Sequence, residues 1–84
     1  MRENILKNIE DMLNKIIEKP QSISEDTFLS GMADNKLETC SLELASWLAE
    51  IETEYDLAIP TDIVKVSDII DQIMRKEQAN KNEF

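Results

Sequence analysis

The serine best placed for chemistry stands where a polar stretch gives way to the most apolar predicted helix. Residues 37–45 read LETCSLELA, and Ser41 lies where the polar stretch ends and the apolar residues begin. The apolar residues that follow recur at helical spacing, at Leu44, Leu48, Ile51 and Tyr55. The Ser41 hydroxyl could cap this helix, the commoner role of such a serine and the one that the stretch alone favours. It could instead be an exposed attachment point at the positive end of the helix dipole, where a bound phosphate is stabilised.

The residue types that most catalytic sites need are scarce in this chain. There is no histidine and only one cysteine, Cys40, so no Ser–His or Cys–His nucleophile pair can form. A single glycine rules out a glycine-rich phosphate loop, and a single cysteine rules out an internal disulfide or a cysteine zinc cluster. Asp26, Asp34 and Glu38 lack the spacing of a calcium-binding loop. The sequence therefore predicts a protein that is not an enzyme and has no metal site.

The net charge of −9 arises in the middle of the chain. Residues 20–62 hold ten acidic residues against Lys36 alone, whereas acids and bases balance in the segments on either side. This distribution opposes nucleic-acid binding and favours basic protein partners. Glu43, Glu50 and Glu54 follow one another at i, i+7 and i+11, so they share one stripe of the predicted helix. We interpret this stripe either as a solvated face or as a strip that a basic partner grips.

Length and composition predict one small all-α domain. Helix-forming residues are abundant, while one glycine and two prolines argue against a turn-dense β fold. We assign the domain to residues 1–76 and expect residues 77–84 to form a disordered tail. No apolar run reaches membrane-spanning length, and the charged N-terminus does not resemble a signal peptide. We expect a cytoplasmic monomer that does not insert into membranes.

Apolar periodicity predicts three main helices and one short helix. The first covers residues 3–18, and the second covers residues 40–55 with Thr39 or Ser41 as its cap. A short helix is expected over residues 61–65, shortly before the last main helix.

Two features complete the predicted bundle. Ser67 is expected to cap the last helix. The long loop over residues 19–40 needs apolar tethers to the bundle. The candidate tethers are Ile23, Phe28, Leu29, Met32 and Leu37.

Several of these features recur together at the spacing of one known family. The residues that carry the pattern are Leu37 followed by Ser41-Leu42, Glu54-Tyr55, Leu57-Ala58-Ile59-Pro60, and the run from Val66 to Ile73. Over residues 37–74 the chain resembles the acyl carrier protein family. Members typically read Leu-Gly-x-Asp-Ser-Leu, a helix ending Glu-Phe-Gly, an Ile-x-Ile-Pro segment and a Thr-Val-x-Asp-Val helix start. The sequence Ser41-Leu42-x-Leu44-Ala45 is similar to the corresponding sequence of specialised carriers, such as those for nodulation-factor fatty acids.

The resemblance implies both a fold and a function. The fold would be a small acyl-carrier-like bundle of three main helices plus one short helix, with a long loop between helices one and two. Ser41 would carry 4′-phosphopantetheine, transferred from coenzyme A by a phosphopantetheinyl transferase. The thiol of that arm would hold an acyl group as a thioester. A loading ligase or synthase and a downstream acyltransferase would be the other partners.

The resemblance also implies which residues meet partners or cargo. They are Leu42, Glu43, Trp47, Glu50, Glu54, Ile59 and Ile63. Trp47 lies at the margin between the acidic stripe and the apolar face, so it is either the edge of the core or an interface anchor. Burial tendencies favour the core edge.

One departure from the family leaves open an unmodified, carrier-like interaction module as a third alternative. Cys40 stands where members nearly always have aspartate, a carboxylate that helps the transferase to engage the carrier. The chain could be an acyl carrier, an aminoacyl or peptidyl carrier, or an unmodified carrier-like interaction module. The third alternative predicts that Ser41 stays bare and that Ser41→Ala leaves binding unchanged.

Overall fold

The computed structural model describes residues 1–31 and 34–81, with side chains described as far as residue 78. This part of the chain contains three helices: α1 (Arg2–Asn14), α2 (Ser41–Tyr55) and α3 (Val66–Lys81). α1 packs against both of the others. No strand forms in the described ranges, where only isolated β-bridges occur. The all-α prediction is therefore confirmed.

α1 buries a stripe of residues four apart and ends earlier than its periodicity predicted. Ile5, Ile9 and Leu13 form the stripe. The predicted end at residue 18 is wrong, because the Asn14 side chain binds both backbone groups of Gln21 and holds the chain in a turn.

The connection between α1 and α2 is folded on itself by backbone hydrogen bonds and is anchored by buried side chains. The Phe28 N–H donates to the Asn35 carbonyl over 2.9 Å, and the Leu37 N–H donates to the Phe28 carbonyl over 2.8 Å. Of the candidate tethers, Ile23, Leu29 and Leu37 are buried, and Phe28 is half-buried beneath the ammonium of Lys65. Met32 lies outside the described residues.

The segment between α2 and α3 does not contain the predicted short helix. Asp56 ends α2 in the left-handed region, at φ 53°, and a turn occupies residues 61–62. The expectation of a helix over 61–65 is wrong because the backbone at the end of this segment is hydrogen-bonded to the α1–α2 connection. The Leu29 N–H donates to the Val64 carbonyl, and the Val66 N–H donates to the Thr27 carbonyl, each over 2.9 Å.

The start of α3 depends on Asp68 rather than on the predicted cap, Ser67. The Asp68 carboxylate accepts the backbone N–H groups of Val64 and Lys65 over 2.9 and 3.0 Å. These bonds favour the charged form and lower the pKa of Asp68 below its ordinary value. The helix continues to Lys81, so the expected tail at 77–84 begins as helix, and residues 82–84 lie outside the described range.

The core is built from all three helices and from the α1–α2 connection. Its fully buried members include Ile9, Leu13, Trp47, Ile51, Val66, Ile69, Ile70 and Ile73. Arg2 closes one end of the bundle, because its guanidinium bonds Glu25 in the connection and Asp71 on α3. Both carboxylates raise the pKa of Arg2. None of the helices described is long and apolar enough to cross a membrane.

Candidate functional site

Ser41 occupies the first helical position of α2, and its side chain is exposed. The N-cap is Cys40, with an extended backbone, rather than Thr39 or Ser41 as the sequence suggested. The Cys40 N–H donates to the Glu43 carboxylate over 2.9 Å. No described residue hydrogen-bonds the Ser41 hydroxyl. The serine is therefore available to a reagent from solution.

The loop before Ser41 is fixed by a pair of hydrogen bonds. The Gln21 side-chain amide donates to the Glu38 carbonyl over 2.7 Å and accepts the Glu38 N–H over 3.1 Å. Gln21 is itself held by Asn14 at the end of α1. These contacts connect the start of α2 to the end of α1, so they restrict the position of Ser41.

A cleft lined by both apolar and polar side chains lies on the same face of α2 as Ser41. Ser41, Ala45, Leu48 and Glu52 follow one another at i, i+4, i+7 and i+11, which places them on one stripe. The last three line a cleft of about 400 Å³. Because α2 rises about 1.5 Å per residue, the cleft starts about 6 Å along the axis from Ser41.

The opposite wall of the cleft comes from the segment between α2 and α3. Ile59, Pro60 and Ile63 line it, and Leu29 contributes from the α1–α2 connection. Two hydrogen bonds hold this wall in place. The Ile59 N–H donates to Glu52 Oε2 over 2.9 Å, and Leu29 is bonded to the Val64 carbonyl. Of the predicted contact residues, Ile59 and Ile63 are thus brought near the Ser41 face.

The acidic stripe lies on the other side of α2. Glu43 is engaged by the Cys40 N–H, whereas Glu50 and Glu54 are exposed. The structure therefore separates the predicted contact residues into a cleft group beside Ser41 and an acidic group turned towards α1.

Trp47 is part of the core and is not a partner-binding residue, so that prediction is corrected. Its side chain has no exposed surface, and its indole N–H donates to the Ile9 carbonyl over 2.8 Å. That bond crosses from α2 to α1. Leu42 is the opposite case, since it is 80% exposed, as a contact residue must be.

Sequence reasoning missed Glu52 as a member of the site. Glu52 stands eleven residues after Ser41 and therefore shares its face of α2. That spacing was the available signal. Its bond to Ile59 could not be read from the sequence, because it depends on how the chain returns after Asp56.

No protein-family model, curated protein or solved structure matches this chain.

Proposed function

We propose that this chain is an acyl carrier protein whose prosthetic group, 4′-phosphopantetheine, is attached to Ser41. The observation that carries the proposal is the pairing of an exposed Ser41 hydroxyl, which bonds no described residue, with a partly apolar cleft on the same face of α2. The resemblance over residues 37–74 adds the identity of the group. We place the carrier in the cytoplasm as a monomer.

The residues at the start of α2 suit a phosphodiester. The first-turn N–H groups of a helix lack intrahelical partners, and the dipole is positive there, so a phosphate on Ser41 would be stabilised. When bound, the group supplies a terminal thiol that holds an acyl chain as a thioester. Leu44, Leu48, Ile59 and Ile63 would shelter an aliphatic chain from water in the cleft.

The charge of the chain supports a role for basic enzyme partners. The acidic residues of α2 would attract the phosphopantetheinyl transferase, the loading ligase or synthase and the acyltransferase that receives the cargo. Leu42 offers an exposed apolar side chain next to Ser41 for the same partners. The cargo class that we favour is acyl, with an aminoacyl or peptidyl group as the alternative.

A second candidate function is an unmodified interaction module. Cys40 favours it, because a thiol occupies the N-cap position where family members have a carboxylate. The two proposals differ in whether Ser41 is chemically used.

Incubation with coenzyme A, Mg²⁺ and a broad-specificity phosphopantetheinyl transferase separates them. Intact mass spectrometry is expected to show one added phosphopantetheine on the wild type and none on Ser41→Ala. Ser46→Ala is the matched control, since Ser46 is also exposed on α2, and it is expected to load like the wild type. Loading of none of the three proteins would favour the interaction module.

A further inference from the structure

Two side-chain amides connect the end of α1 to the loop that precedes Ser41. Asn14 Nδ2 donates to the Gln21 carbonyl over 3.2 Å, and Asn14 Oδ1 accepts the Gln21 N–H over 2.8 Å. Gln21 makes the same pair of bonds one step further on, to the carbonyl and the N–H of Glu38. Each amide therefore pairs with both backbone groups of one residue, and the two pairs stand in series. We call Asn14, Gln21 and Glu38 the amide relay.

The near end of the amide relay has a rigid base. Glu10 lies one turn before Asn14 on α1, and its carboxylate accepts the Ile23 N–H over 2.9 Å. Side chains on one face of α1 thus hold two alternate residues of the connection, Gln21 and Ile23. The Ile23 side chain is also buried in the core. The backbone that carries the Gln21 amide is therefore fixed to the bundle.

The far end of the amide relay holds the chain just before Ser41. Glu38 stands three residues before Ser41, so at most about 10 Å of chain separates them. Among the described residues, the two backbone groups of Glu38 have no hydrogen-bond partner other than Gln21. The bond made by the Cys40 N–H lies within the first turn of α2. Gln21 is thus the contact that ties this stretch to α1.

The position of these bonds at the surface argues against a role in the stability of the core. Glu38 is exposed and Gln21 is half-buried, so water could satisfy the same backbone groups. The neighbouring Leu37 is buried and keeps the connection packed without the relay. What the relay chiefly removes is conformational freedom of the loop before Ser41.

We propose that Gln21 is a positioning residue for the modification of Ser41. The inference rests on the proposed function, because the position of the hydroxyl matters only if the hydroxyl reacts. Gln21 acts through Glu38 and touches neither Ser41 nor, by this account, the transferase.

The reaction explains why position matters. Ser41 Oγ attacks the phosphorus of coenzyme A that bears the pantetheine, and the bond from that phosphorus to the bridging pyrophosphate oxygen breaks. Adenosine 3′,5′-bisphosphate leaves, and the hydroxyl proton passes to a base of the transferase. An in-line attack needs the nucleophile held in a narrow range of positions. A loop freed from Gln21 would bring Ser41 into that range less often.

The test measures loading of the full chain by a broad-specificity phosphopantetheinyl transferase with coenzyme A and Mg²⁺, at varied chain concentration. Gln21→Ala is expected to lower kcat about tenfold, because both bonds to Glu38 are lost. The KM should change less than about twofold, since Leu42 and the acidic residues of α2 are unaltered. Gln21→Glu keeps the acceptor but sets a carboxylate against the Glu38 carbonyl, and is expected to give an intermediate loss.

A double-variant cycle tests whether the two amides act in series. Asn14→Ala removes the bonds to the Gln21 backbone and is expected to lower kcat in the same direction. Asn14→Ala combined with Gln21→Ala should lose no more than Gln21→Ala alone, because the second link is already broken. Fully additive losses would contradict the relay.

The matched control is another amide of the same connection. Asn35 Nδ2 donates to the Asp26 carbonyl over 2.9 Å, outside the relay, so Asn35→Ala is expected to load like the wild type. Amide hydrogen exchange at Glu38 should rise about tenfold in Gln21→Ala and stay unchanged in Asn35→Ala. The Tm of Gln21→Ala should fall by less than about 5 °C, which separates positioning from unfolding.

The outcomes distinguish this inference from the carrier function. An unchanged kcat in Gln21→Ala, with the wild type loaded, would overturn the positioning role and leave the carrier function standing. A raised KM with unchanged kcat would also overturn it, because Gln21 would then meet the transferase directly. Failure of the wild type to load would reject the carrier function and, with it, any role of Gln21 in loading.

Discussion

Replacing Trp47 by phenylalanine tests how α1 and α2 are joined. The indole is wholly buried, and its N–H is bonded to the Ile9 carbonyl over 2.8 Å. Phenylalanine keeps an aromatic ring in the core but lacks the donor and the second ring. The Ile9 carbonyl lies within α1 and keeps its helical partner, so the substitution does not leave it unsatisfied.

Two losses set the expected magnitude. The hydrogen bond contributes about 1 kcal/mol net. The missing part of the indole removes buried apolar contact and leaves space in the core, which costs roughly another 1–2 kcal/mol. The free energy of unfolding should therefore fall by about 2–3 kcal/mol, and the Tm of a domain this small should fall by about 10–20 °C.

Thermal and urea denaturation followed by far-UV circular dichroism measures both quantities, since the variant has lost the only tryptophan of the chain. Tyr55→Phe is the matched control at the same helix pair. Its hydroxyl accepts the Asn8 side-chain amide but is half-buried, so the expected loss is below about 1 kcal/mol. If the free energy of unfolding of Trp47→Phe were within about 0.5 kcal/mol of the wild-type value, the burial of Trp47 and its bond to Ile9 would be refuted.

Two further substitutions probe the ends of the segment between α2 and α3. Asp68→Asn should cost about 1 kcal/mol at pH 7, because it weakens the bonds that hold Val64 and Lys65. The folded pKa of Asp68 is below the unfolded value of 3.8, so its contribution is present above that pH and is lost as the pH falls through the folded pKa. The Tm difference from the wild type should therefore shrink as the pH falls below about 4 and through the folded pKa of Asp68, and a pH-independent difference would contradict this account. Glu52→Ala should raise hydrogen exchange at the Ile59 amide about tenfold by removing a charge-assisted bond, while Glu52→Gln, which keeps an acceptor, should change it less. Equal exchange in the wild type and Glu52→Ala would show that the bond does not hold the cleft wall.

The helices were predictable because their apolar residues recur at helical spacing. α2 was placed within one residue, at Ser41–Tyr55, and the buried stripe of α1 was included in the predicted first helix. The errors concern residues whose side chain or backbone bonds outside the helical repeat, seven residues away in one case and far along the chain in the other. Asn14 ends α1 through Gln21, and the backbone at Val64 bonds to Leu29 in place of a short helix.

The candidate site was only partly predictable for the same reason. The position of Ser41 at the start of α2 follows from local sequence, and the structure adds that its hydroxyl makes no hydrogen bond to a described residue. The burial of Trp47 depends on the Ile9 carbonyl of another helix. Periodicity therefore placed Trp47 at the margin of the apolar face but did not decide whether its side chain is buried or exposed. The cleft likewise needs Ile59 to return against Glu52.

The most direct test of the central claim is to locate the prosthetic group on the protein isolated from cells that also produce its transferase. Trypsin cleaves after Lys36 and Lys65 and leaves residues 37–65 as one peptide with no internal basic residue. Tandem mass spectrometry of that peptide can distinguish Ser41 from Thr39 and Ser46. The carrier proposal predicts phosphopantetheine on Ser41 alone. A bare peptide, or the group on any other residue, would contradict it.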